Sequence, residues 1–189
     1  MEYWTKEGII ADRAIMRMQE VSLVADLLIA MKEGIQPKKQ IKSFYAAYEP
    51  KEDQPEGEFN ESAARELRTK FDRTMKTIAD IFPDGIRGTE FRRVHLFYSL
   101  FTATAHSLFG LPKLPSRDPK GPVPRPSLEG KAQRERARNG LEVVGTIFEK
   151  DISELHGEYL TFMQNTRRAT TDGPVRTSRT IIFLRLMAA

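Results

Sequence analysis

Three kinds of side chain in this sequence have the chemistry to form a site: histidines, paired carboxylates and clustered arginines. There are three histidines, His95, His106 and His156. His95 and His106 lie on one apolar stretch, about three helical turns apart, so they can share a helix face. No carboxylate stands at ligand spacing beside them, and core or boundary positions suit them better than metal binding or acid–base work. The carboxylate pairs Glu149 with Asp151 and Asp72 with Asp80 fall on polar helix faces, with salt-bridge partners such as Lys76 nearby. Ser22, Ser43 and Ser99 lack the strand–turn–helix context of an activated nucleophile. There is no Gly-rich phosphate loop. Cysteine is absent, which removes a disulfide framework and a zinc ribbon. The residues assign no catalytic group, no cofactor and no metal.

The arginines carry more information. Arg92 and Arg93 open one helical stretch, and Arg134, Arg136 and Arg138 open another. Arg167, Arg168, Arg176 and Arg179 surround Thr170-Thr171-Asp172-Gly173. A guanidinium fork grips phosphate or carboxylate with two bonds, and the free amides of a helix start also suit an anion. Arg92, Arg93, Arg134, Arg136, Arg138, Arg176 and Arg179 are therefore the candidate phosphate or DNA contacts. The alternative is that they pair with Glu and Asp inside the bundle. Arg176 and Arg179 sit in an apolar helix, so at least one is expected to be paired and partly buried.

The elements that must position these groups read as helices. The chain has 189 residues, 40% hydrophobic and 30% charged, with a net charge of +4. That suits a single helical domain over 1–189 and excludes global disorder. No run of apolar residues is long enough for a membrane helix; Val21 to Met31 is interrupted by Ser22 and Asp26. The start of the chain has no basic n-region, so the expected compartment is the cytoplasm.

A first helix is predicted from Ala11 to Glu33, capped by Asp12 and stopped by Gly34, with Ile15, Met18, Val21, Val24, Leu28 and Met31 in its stripe. A short helix with Ile41, Phe44, Tyr45 and Tyr48 follows. Residues 49–60 form an acidic loop. Asn60 caps a helix to Phe82, and Thr89 caps a central core helix over Glu90 to Phe109. Residues 110–127, with prolines from Pro112 to Pro126, form a long extended loop. A continuous helix is predicted from Leu128 to Phe162, with Gly157 marking a bend. Asp172-Gly173-Pro174 starts the last helix, although Thr180 to Leu184 also passes as a short strand on propensity. The expectation is an all-α, irregular bundle of five to six helices.

Several of these segments resemble a known family. Trp4-Thr5-Lys6-Glu7-Gly8-Ile9-Ile10 followed by Arg17-Met18-Gln19-Glu20-Val21-Ser22-Leu23-Val24 is similar to a stretch of the large bacterial family typified by the GmrSD restriction enzymes. So are Phe91-Arg92-Arg93 through Phe97-Tyr98-Ser99-Leu100-Phe101 and Thr170-Thr171-Asp172 followed by Arg176 and Arg179. In that family a helical region follows an N-terminal ParB/sulfiredoxin-like domain. The resemblance makes Arg17, Met18 and Glu20 structural motif positions, with Glu20 standing where Asp is usual. The family's Asp-Gly-Gln-Gln-Arg motif, linked to nucleotide hydrolysis and nuclease action, does not occur in this sequence.

The resemblance thus implies a non-catalytic helical module of a restriction or phage-defence protein. Its expected role is to pack against a ParB-like catalytic domain or subunit and to contact DNA or relay substrate sensing. A module for protein interaction or homo-oligomerisation, with no nucleic-acid role, is the alternative.

Overall fold

A computed structural model of the chain describes residues 2–11, 18–48 and 60–189. The expected Asp12 cap, Ile15, the motif residue Arg17 and almost all of the acidic loop lie outside the described residues. Among those described, eight α-helices and one two-stranded ribbon form the fold. The all-α expectation holds, with more helices than the five to six predicted.

Helix α1 (Glu2–Lys6) inserts Trp4 edge-on against Phe97, with ring centroids 5.5 Å apart. Helix α2 (Gln19–Glu33) starts after Met18, whose φ of 53° places it in the left-handed region. Gly34 ends α2 at φ 86°, and a Cβ there would strike the Pro112 carbonyl, so both conformation and space require glycine. Helix α3 (Ile41–Tyr48) follows a single 3-10 turn. Helix α4 (Glu61–Ile81) begins as predicted, with Asn60 Oδ1 accepting from the Ala63 amide at 2.9 Å.

The predicted helix from Glu90 to Phe109 is split. Thr89 caps a 3-10 turn over Glu90–Arg92, Arg93 is extended, and helix α5 runs Val94–Phe109. The turn lowers Phe91 into the core, 5.3 Å from Phe82 and 5.5 Å from Phe183 between centroids.

Helix α5 is the hub. Every residue from Leu96 to Ala105 is buried, so apolar periodicity counts for less than the helix's enclosure on all sides. Its densest packing is against α8 and α4.

The Pro-rich stretch carries a small antiparallel ribbon, β1 (Arg117–Asp118) with β2 (Gly121–Pro122). Arg185 pins it, reaching Asp118 at 2.5 Å and Glu158 at 2.8 Å.

The long helix predicted from Leu128 to Phe162 is broken in two. Helix α6 (Lys131–Glu149) ends at an extended Lys150, and helix α7 (Gly157–Arg167) begins after a 3-10 turn. Asp151 is the cause: its Oδ1 takes the Ser153 amide at 2.9 Å and competes with helical bonding.

Helix α8 (Gly173–Ala188) has Pro174 in its first turn, as predicted, and Thr180 to Leu184 are helical rather than a strand. Burial of all five of these residues against neighbouring helices overrides their β-propensity. Helices α6 and α8 come so close at Gly140 that an added Cβ would collide with the Leu186 carbonyl. No helix among the described residues is long and apolar enough to cross a membrane.

Candidate functional site

Helices α2, α5 and α8 enclose a cleft of about 350 Å³ near their ends. Helical spacing explains its walls. Gln19, Ser22, Leu23 and Asp26 recur at three- and four-residue steps along α2; Val94, His95 and Tyr98 share a face of α5; and Arg176 and Arg179 share a face of α8. Thr170 and Thr171, just before α8, and Lys38 complete the lining. Lys38 is held in place through its backbone, its amide donating to the Thr171 carbonyl at 3.0 Å.

Two buried arginines on one helix face receive different treatment. Arg176 is 4% exposed and forms a two-pronged ion pair with Asp26, both N–O distances being 2.8 Å. It also donates to the Gln36 carbonyl at 2.9 Å and lies 4.1 Å over the Tyr98 ring. Burial works against its charge, yet the hydrogen-bonded Asp26 carboxylate more than offsets this and raises its pKa.

Arg179 is fully buried and its partners are all neutral. Its Nε donates to Ser99 Oγ at 3.1 Å, and its terminal nitrogens donate to the carbonyls of Asn165 and Thr170, each at 2.7 Å. No carboxylate comes within ion-pair distance of it among the described residues. Burial, and then the like charge of Arg176, lower its pKa to about 10, so it stays charged at neutral pH.

Three buried polar atoms at this cleft make no hydrogen bond of good geometry among the described residues: the Tyr98 hydroxyl, in a side chain 2% exposed, Arg176 Nε and His95 Nε2. Burial pushes the Tyr98 phenol up. The Tyr98 hydroxyl still interacts with the Arg176 guanidinium, which works against the effect of its burial. Burial, with Arg179 and Arg93 adding repulsion, lowers His95 to about 4, which keeps it neutral near pH 7.

The remaining candidate arginines stand elsewhere. Arg92 and Arg136 are exposed. Arg93 pairs with Glu90 at 2.5 Å and covers the Phe148 ring at 4.6 Å. Arg134 donates to the carbonyls of Leu128 and Glu129 at 3.1 and 3.0 Å and lies 3.8 Å from Asp80. Arg138 lies 3.7 Å from Glu142, one turn on. Pairing within the bundle thus accounts for most of this set, and the burial of Arg176 and Arg179 places them out of reach of a duplex backbone.

Of the motif residues, Met18 is exposed and Glu20 sits half-buried in the first turn of α2, with one carboxylate oxygen unpartnered among the described residues. His106 is a boundary residue as expected, its Nδ1 accepting from the Leu111 amide at 3.0 Å beyond the end of α5. His156 is exposed.

Sequence reasoning did not assign Asp26, Tyr98 or Ser99 to the site. Asp26 had a signal, as the acid that interrupts the apolar run of α2. Tyr98 and Ser99 fall within the resembling run Phe97 to Phe101, but nothing in their spacing set them apart from the apolar core around them. No protein-family model matches the chain, and no match was found among curated proteins or solved structures.

Proposed function

We propose that this chain is a non-catalytic helical module of a bacterial restriction or phage-defence protein, packing against a ParB-like nuclease or NTPase domain and relaying substrate sensing to it. One observation carries the reading. The segments that resemble the family are far apart in sequence and meet at one cleft: Ser22 and Leu23 from the first, Tyr98 from the second and Thr170, Arg176 and Arg179 from the last all line it. Ser99 accepts from Arg179 across 80 residues. Motifs that converge in space while scattered in sequence mark a common role better than three separate helix features do. Burial of Arg176 and Arg179 favours the sensing half of this role, and direct DNA contact falls to exposed side chains such as Arg92 and Arg136. The test is the DNA upstream of the Met1 codon. An in-frame or adjoining Asp-Gly-Gln-Gln-Arg segment is expected, whose product co-elutes with this chain at fixed stoichiometry. Upstream DNA without such a segment, or a product that elutes apart, overturns the reading.

A specific feature favours the alternative of self-association. Tyr45, 44% exposed, lines an apolar groove with Ala25, Leu28 and Leu67, and Val21, 49% exposed, stands one turn before Ala25 on the same helix. Sedimentation of the purified chain decides it, a concentration-dependent dimer supporting the alternative and a monomer at all concentrations removing it.

A further inference from the structure

The charges that line the cleft between α2, α5 and α8 do not balance. Asp26 is the single acid among them, and both of its oxygens are engaged by Arg176. The fully buried guanidinium of Arg179 is left with neutral acceptors only, which is an expensive arrangement unless another anion supplies the counter-charge. Its three hydrogen bonds hold the guanidinium at the back wall of the cleft, closed to solvent, so it acts on an anion there through its charge. Tyr98, His95 and Arg176 each hold a buried polar atom without a well-formed hydrogen bond at the same place. Lys38, Thr170 and Thr171 stand at the lining from the other side.

We propose that this cleft binds the phosphoryl group of a small phosphomonoester. Donors come to it from three separate parts of the fold, α5, α8 and the Lys38 segment, which suits a tetrahedral group better than a planar carboxylate taken by one fork. The volume exceeds that of inorganic phosphate alone and lies at the lower end of small-molecule sites, leaving room for a short organic portion. The side chains can hold, orient and neutralise the ligand, and no bond is made or broken. The inference deepens the sensing role proposed above, and it is tested on this chain without any partner, so either can fail alone.

The experiment titrates the full chain calorimetrically with inorganic phosphate, glycerol phosphate and acetate. Saturable binding of glycerol phosphate is expected, tighter than inorganic phosphate and much tighter than acetate. Tyr98→Phe removes a hydroxyl that makes no hydrogen bond of good geometry and keeps the ring beneath Arg176, so the fold should survive. Its affinity for glycerol phosphate should fall by about tenfold or more, the weight of one hydrogen bond to a charged group. Lys38→Ala, at an exposed side chain, should also weaken binding and make it less sensitive to salt. Arg136→Gln, an equal charge change away from the cleft, should leave it unaltered. No saturable binding at millimolar ligand, equal affinity for acetate, or equal losses in Tyr98→Phe and Arg136→Gln would overturn the proposal.

Discussion

Helices α6 and α8 both carry arginines at close spacing, and the fold places them in opposite environments. On α6, Arg134, Arg136 and Arg138 lie at or near the surface, served by nearby carbonyls, by loosely held acids or by water. On α8, Arg176 and Arg179 are buried among α2 and α5, and every side-chain hydrogen bond they make leaves the helix. Spacing and composition do not separate the two sets. Apolar context does: the α8 arginines are embedded among Thr180, Ile181, Ile182 and Phe183, whereas those of α6 alternate with Glu135 and Asn139. A guanidinium on a buried face has to bring its partners inside with it, whereas Arg185, on the rim of the same helix, takes its two acids at the surface.

The largest break in this comparison comes at Asp26. Asp26→Ala strands a buried Arg176 charge, and a loss of about 3–5 kcal/mol in unfolding free energy is expected in urea denaturation. A loss under about 1 kcal/mol would place the α8 arginines in the same energetic class as exposed pairs.

A smaller cost is expected at the contact between the two helices themselves. Gly140→Ala pushes a methyl group into the Leu186 carbonyl. Separation of α6 from α8 to admit it should cost about 1–3 kcal/mol, read as a lowered melting temperature. An unchanged or raised melting temperature, as expected for an ordinary exposed glycine in a helix, would show that α6 and α8 do not meet there.

His95 sharpens the comparison through pH. Its pKa is lowered to about 4 in the fold, chiefly by burial and then by Arg179 and Arg93. The unfolded chain therefore takes up this proton first as pH falls. The contribution is fully present above the ordinary histidine value of about 6.5 and is lost as pH drops toward about 4. Partial exposure of the ring limits the loss to about 2 kcal/mol. Wild type should thus lose more stability than His95→Gln between neutral and acid pH, and parallel profiles would show that the fold does not hold His95 neutral.

The smallest effect on stability belongs to α6. Replacing Arg134, Arg136 and Arg138 together with Gln should cost less than about 1 kcal/mol. The same variant tests contact with a phosphate backbone: if these arginines track one, the slope of log affinity against log salt falls by up to about 3. An unchanged slope, with wild type binding duplex DNA, leaves the contact to other residues.

What was legible in the sequence is what local rules govern. The Asn60 cap, the Gly34 stop and the Pro174 start were read from single residues, and the all-α class from helical periodicity. Misreadings arose where a side chain changed its own backbone's choices, as Asp151 does in breaking the long helix. They also arose where tertiary enclosure outweighed propensity, as at Thr180 to Leu184. At the site, the sequence pointed to Arg176 and Arg179 and to one of them being paired. It could not show that Asp26 is that pair's other half, since the two are brought together only by the packing of α2 against α8. Nor could it single out Tyr98 or Ser99, which look like core fillers until the arginines arrive beside them.

The link between Asp26 and Arg176 also bears on how the chain folds. It closes a loop of 150 residues, so the entropy of that closure must be met before the ion pair gives anything back. Helices α6, α7 and α8 can assemble through much shorter closures. The cleft is therefore expected to be completed late, with a φ-value near zero at Asp26. An interaction made after the rate-limiting step acts on the way out, slowing escape from the native state more than it hastens arrival. The paired arginine is in this sense a kinetic latch, whereas its neighbour Arg179 spans shorter closures, 9 and 14 residues to its carbonyls and 80 to Ser99.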